Sequence, residues 1–112
     1  MEIEVRDEGV VTLVHLTGDL DATTGPRLTE ELDRLWTAGR RRFVVDLGGV
    51  PFVDSAGLSV LVRLFKRVRA QAGRLGLASL QPPVRRVFEL TRLERSFDLY
   101  PDVAEALRRA GG

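Results

Sequence analysis

The chain has 112 residues, 44% of them hydrophobic, with a formal net charge of +1 and no cysteine. That length fits one domain around one core and leaves no room for a substrate domain beside a cofactor domain. The missing cysteines exclude disulfides, thiolate metal sites and a cysteine nucleophile. The charge is unevenly spread. Residues 1–35 hold nine acidic and three basic side chains, whereas residues 36–112 hold fourteen basic and seven acidic. Such an asymmetry either steers a charged protein partner or reflects two solvated faces. No basic start leads into an apolar run of signal-peptide length. No window approaches the roughly 18 apolar residues that span a bilayer. The expectation is a soluble, cytoplasmic protein without membrane insertion.

Ile3 to Arg6 alternates Ile3 and Val5 with Glu4 and Arg6, which suits an edge strand turning at Asp7-Glu8-Gly9. Val10 to Gly18 is a β-branched strand with Val11, Leu13 and His15 on one face and Val10, Thr12, Val14 and Leu16 on the other. Gly25-Pro26 opens a first helix, with Thr24 as its expected cap, Leu28, Leu32, Leu35 and Trp36 at helical spacing, and Gly39 as its stop. Phe43 to Leu47 is a short central strand bounded by three arginines and by Gly48-Gly49.

Val50-Pro51-Phe52-Val53 leads into a second helix from about Ser55 to Ala72, ended by Gly73. Its apolar stripe is read as Leu58, Leu61, Val62, Phe65 and Val68, and its basic face as Arg63, Lys66, Arg67 and Arg69. Leu75 to Ala78 is a further strand. Pro82-Pro83 starts a third helix through Val84, Val87, Phe88 and Leu90. Phe97 to Tyr100 is a last short strand, and a final helix covers Asp102 to Ala110. The order β-β-α-β-α-β-α-β-α predicts an α/β domain, with helices packed on a small mixed β-sheet.

Several chemistries lack material. Gly48-Gly49 follows a strand but has neither the third glycine nor the helix of a phosphate cradle. His15 is the only histidine and lies inside a strand among apolar residues, so it reads as filling a sheet face. Zinc sites and general-base triads need more convergent partners than that. Asp19, Asp21, Asp46 and Asp54 lie at strand ends, where gathered carboxylates could hold a divalent ion or could bond to turn amides. The turn-amide role is favoured. No catalytic residue, cofactor or metal is assigned.

The segment with the most chemistry is Phe52-Val53-Asp54-Ser55-Ala56-Gly57-Leu58, between an apolar strand and an amphipathic helix. The bland reading makes Asp54 or Ser55 an N-cap, a task for only one of them. The functional reading uses the same geometry, since helix-terminal amides tolerate an added phosphate. A phosphoserine brings roughly −1.5 to −2 charges, enough to reject an acidic partner or rearrange the loop. Ala56 and Gly57 keep the surroundings small, so that a kinase cleft could reach the hydroxyl.

These residues resemble the signature of bacterial anti-sigma factor antagonists built as a single STAS domain. Gly18-Asp19-Leu20-Asp21 is similar to that family's Gly-Glu-Leu-Asp. Phe52 to Leu58 resembles its aromatic-hydrophobic-Asp-Ser-Ser/Thr-Gly-Leu signature. Val84 to Leu93 resembles its late helix and Thr-Gly-Leu turn. The resemblance covers almost the whole chain and makes residues 1–112 one STAS domain, with helices packed mainly on one side of the sheet. It implies a regulatory protein, not an enzyme. The partner would be an anti-sigma factor with serine kinase activity, and docking would release a sigma factor. Ser55 would be the phosphorylation site, phosphorylation would block docking, and a PP2C-type phosphatase would reverse it.

The resemblance further implies a partner-binding surface made of Asp19, Asp21, Asp54, Ser55, Ala56, Gly57 and Leu58. Three departures stand out. Ala56 replaces a second hydroxyl, Asp19 replaces Glu, and Arg92 replaces the Gly of the late turn, which puts the left-handed backbone of that turn in question. The family also supplies an alternative, a STAS subunit of a lipid-transport or other membrane-associated complex or of a stress-signalling scaffold. No direct nucleic-acid binding is expected, because the basic face of the second helix has no reader fold or aromatic platform beside it.

Overall fold

The computed structural model describes residues 1–112. The elements run β1 (Glu2–Glu8), β2 (Val11–Thr17), α1 (Gly25–Thr37), β3 (Arg42–Gly49), α2 (Ser55–Ala70), β4 (Arg74–Ala78), α3 (Pro82–Leu90), a 3₁₀ turn (Leu93–Arg95), β5 (Asp98–Tyr100) and α4 (Val103–Gly111). The strands form one sheet in the order β1-β2-β3-β4-β5. β1 is antiparallel to β2, and every other neighbouring pair is parallel. The three crossovers from β2 to β5 step in one direction across the sheet. Right-handed connections of that kind place α1, α2 and α3 on one face. α4 alone covers the other.

This layout explains why β2 and β3 are apolar on both sides. Val14, Leu16, Phe43, Val45 and Leu47 join the larger core under α1, α2 and α3. Val11, Leu13 and Val44 meet Ala106 and Ala110 of α4. β1 is the charged edge strand the alternation predicts, but its turn is two residues long, Gly9-Val10. Asp7 and Glu8 remain paired with Thr12 and Val11, and Gly9 takes φ +75°. α2 buries a wider strip than the predicted stripe. Leu61 and Val68 are buried as expected, together with Val60 and Leu64, which sit on the flank towards α1. Leu58, Val62 and Phe65 are only partly covered. Leu90, expected on the apolar face of α3, is 70% exposed.

Three left-handed positions carry side chains, Ala72, Ser79 and Arg92. α2 stops because Ala72 adopts φ +55°, not because Gly73 does. Gly73 is needed for a different reason, since a Cβ there would lie 2.2 Å from the carbonyl oxygen of Arg41. Arg92 adopts φ +62°, ψ +18°, so the late turn keeps its left-handed backbone without the glycine. A non-glycine residue in that conformation costs roughly 1–2 kcal/mol, partly offset by the lower unfolded-state entropy it brings. Ala72→Gly and Arg92→Gly are each expected to stabilise the fold by about 0.5–1 kcal/mol, read as a higher urea midpoint with an unchanged slope.

Candidate functional site, a rim of two interlocked loops

The parallel strands β2 and β3 end on the same rim, and the loops that leave them are joined by backbone. Leu20 N–H donates to the Phe52 carbonyl at 3.0 Å, and Asp54 N–H donates back to the Leu20 carbonyl at 3.2 Å. Leu20 and Val53 form a parallel bridge, and both side chains are buried. The start of α2 lies directly on this bridge. A Cβ at Gly57 would stand 2.2 Å from the Leu20 carbonyl oxygen and 2.6 Å from its carbon. Gly57 is therefore required by the close approach of the β2–α1 loop. The family-like glycine thus ties together the loop carrying Asp19 and Asp21 and the helix start carrying Ser55.

Each rim aspartate has a defined task. Asp54, extended at φ −101°, ψ −176°, caps α2 by accepting from Gly57 N–H at 2.8 Å. Asp21 Oδ1 accepts from the amides of Thr23 at 2.9 Å and Thr24 at 3.1 Å. These bonds, the Thr24 amide first, hold the Asp21 carboxyl below its usual range. Thr24 does not cap α1 as its position suggested. Its hydroxyl donates to the Asp19 carbonyl at 2.8 Å and accepts from Asp21 N–H at 3.0 Å, bracing the loop from within. Asp19 projects its side chain into solvent. Asp46 lies apart from these three, on the α4 side of the sheet. No three ligating side chains come together here or elsewhere.

Because Asp54 supplies the cap, Ser55 does not need to. Ser55 is the first residue of α2 and is exposed. Its carbonyl accepts from Ser59 Oγ at 2.8 Å, while its own hydroxyl has no protein partner. The N–H groups of Ser55 and Ala56 also donate to nothing in the protein, as expected for the first turn of a helix. Ala56 and exposed Ser59 continue one side of the rim into a groove of about 580 Å³ between α1 and α2, lined also by Asp21, Glu30, Asp33 and Arg63. Leu58, next along the helix, turns towards the core and is partly buried.

Two features differ from the sequence reading. His15 does not simply fill a sheet face. Its Nδ1 lies 2.6 Å from Asp46 Oδ2, and the imidazole is 38% exposed. Asp46 Oδ1 also accepts from Gly48 N–H at 2.9 Å. The only signal for this pair was parity, with His15 in step with Leu13 and Asp46 in step with Val44; pairing them requires the register of two strands 31 residues apart. The basic face of α2 is also partly spoken for. Arg63 reaches Thr29 Oγ1 at 3.3 Å, and Arg67 reaches Asp33 at 2.5 Å while lying 4.6 Å above the Trp36 ring. Those two cations clasp α2 to α1.

The family model for the STAS domain matches residues 2–106, and the chain belongs to the STAS domain family. Within that family its relatives include anti-sigma factor antagonists. It is 28% identical to the anti-sigma F factor antagonist of Paenibacillus polymyxa over 111 residues, 96% of this chain and 92% of that protein. It is 33% identical to the anti-sigma-B factor antagonist of Listeria monocytogenes over 93 residues, 83% of this chain and 81% of that one. The crystal structure of an anti-sigma factor antagonist from Mycobacterium paratuberculosis superposes with a TM-score of 0.90 at 29% identity, covering 99% of this chain and 94% of the other. No helix of the protein is long and apolar enough to cross a membrane.

Proposed function

We propose that the protein is a phosphorylation-switched antagonist of an anti-sigma factor, and that the rim is its docking surface. The observation that carries this reading is the division of labour between adjacent residues. Asp54 takes the helix cap, so the Ser55 hydroxyl is exposed and uncommitted beside unpaired amides of the first turn. In the unphosphorylated state Asp19, Asp21, Asp54, Ser55, Ala56, Gly57 and Leu58 form or support one surface for an anti-sigma factor with serine kinase activity. Docking withdraws that factor from its sigma factor. The catalytic groups and the ATP belong to the partner, so this chain is not an enzyme.

In the switching step the Ser55 Oγ–phosphorus bond forms as the β,γ-phosphoanhydride of the partner's ATP breaks, ADP leaves and the hydroxyl proton is released. The phosphate lands where the amides and dipole of α2 favour an anion, so the fold accepts it. It also lands beside Asp54 and Asp21, which makes the rim more negative and costly to dock. A PP2C-type phosphatase resets the switch by hydrolysing the ester. Incubation with the partner kinase and ATP is expected to add one phosphate, mapped by mass spectrometry to Ser55, and none to Ser55→Ala. A phosphate on Ser55→Ala would remove the single-acceptor assignment.

A further inference from the structure

We infer that Phe52 is the apolar anchor that seats the Ser55 loop in a hydrophobic recess of the kinase partner; this rests on the docking role proposed for the rim. Three large hydrophobic side chains are exposed in the whole chain: Val10 at 68%, Leu90 at 70% and Phe52 at 50%. Val10 lies at the tip of the β1–β2 turn and Leu90 at the C-terminal end of α3, both away from the rim. Phe52 alone stands on the rim, three residues before Ser55, next to exposed Pro51.

Nothing in the fold asks for an aromatic side chain there. Val50 and Val53 on either side are buried and supply the core contacts of the segment. The backbone of Phe52 is nonetheless fixed. Its carbonyl accepts from Leu20 N–H at 3.0 Å, and the next residue, Val53, is bridged to Leu20. An aromatic ring held out on a pinned backbone loses little freedom on binding, which is the property of an interface anchor. Aromatic residues in apolar pockets are also those whose truncation costs an interface most. The flanking charges, Asp19, Asp21 and Asp54, would form the polar margin around it. The partner's matching feature is therefore an apolar recess with basic groups near its edge.

The test compares Phe52→Ala with wild type and with Leu90→Ala, which removes a still more exposed apolar side chain from the other end of the molecule. The probe is the ATPase captured by immobilised wild-type protein, purified and used in solution. For Phe52→Ala, the KM for Ser55 phosphorylation is expected to rise at least about 30-fold with kcat retained, and the dissociation constant to rise in parallel. Phe52→Leu should recover part of the loss. Leu90→Ala should change neither constant, and the thermal midpoints of the Phe52 variants should stay within about 3 °C of wild type. Unchanged binding of Phe52→Ala, or an equal loss in Leu90→Ala, would overturn the anchor while leaving the docking role in place. If the wild-type bait captures no ATPase, the docking role itself fails, and the anchor fails with it.

Discussion

Gly57→Ala is expected to lower stability by about 2 kcal/mol and the thermal midpoint by roughly 8–10 °C, despite alanine being the better helix former. In an open helix the exchange would gain about 1 kcal/mol. Here the new methyl group would sit 2.2 Å from the Leu20 carbonyl oxygen and 2.8 Å from Leu20 Cγ, closer than any real Cβ contact. Backbone, not a flexible side-chain end, must yield. The β2–α1 loop has to lift, which breaks the Leu20–Phe52 and Asp54–Leu20 hydrogen bonds and uncovers buried Leu20. Overpacking of about 1–3 kcal/mol, added to the two lost bonds, outweighs the propensity gain. The functional consequence is larger than the stability loss. Asp21 and Ser55 would no longer be held in one geometry, so partner affinity should fall even in the fraction that is folded. Chemical denaturation and amide NMR spectra of Leu20, Phe52 and Asp54 would report both effects. A variant as stable as wild type would show that the loops are not locked through Gly57.

The order of elements and the start of α2 at Ser55 were legible in the residues because both rest on local rules. Period-two and period-3.6 patterns mark the strands and helices, and Asp-Ser before an apolar helical run marks a helix start. The structure adds which member of the pair caps, a matter of one rotamer. What was not legible depends on contacts between distant segments. Thr24 has the position of a cap but braces the loop, because its hydroxyl is committed to Asp21 N–H and the Asp19 carbonyl, while Arg27 N–H donates to the Thr24 carbonyl instead. Gly73 looks like a helix stop, yet the carbonyl of Arg41, just before β3, decides its role while Ala72 bears the strained turn. The His15–Asp46 pair needs a β2–β3 register that neither strand contains alone. Val60 and Leu64 were missed because α2 faces α1 as well as the sheet, so one stripe understates its buried surface. The resemblance placed helices mainly on one side of the sheet, and the single helix on the other face, α4, is explained by being the one that follows β5 instead of crossing between parallel strands.

Ser55→Asp is expected to weaken docking on the anti-sigma partner at least about 30-fold, close to 2 kcal/mol, without loss of fold. An acidic residue in the first turn of a helix is favourable, so α2 should be as stable as in the wild type or slightly more so. The loss would then come from charge. The rim already carries Asp54 and Asp21, the latter held in its ionised form by the Thr24 and Thr23 amides. Another carboxylate at position 55 would have to be desolvated against a surface chosen to receive a hydroxyl. A charge-free change at the same position, Ser55→Ala, should dock nearly as well as wild type. Control of docking by charge at position 55 can be read by immobilising wild type and Ser55→Asp. Both baits would be exposed to one lysate of the source organism, and the retained proteins quantified by mass spectrometry. An ATPase of the serine-kinase type is expected on the wild-type bait, depleted at least about 30-fold on Ser55→Asp. The same partners in equal amounts on both baits, or a membrane transport complex in place of the ATPase, would contradict this expectation.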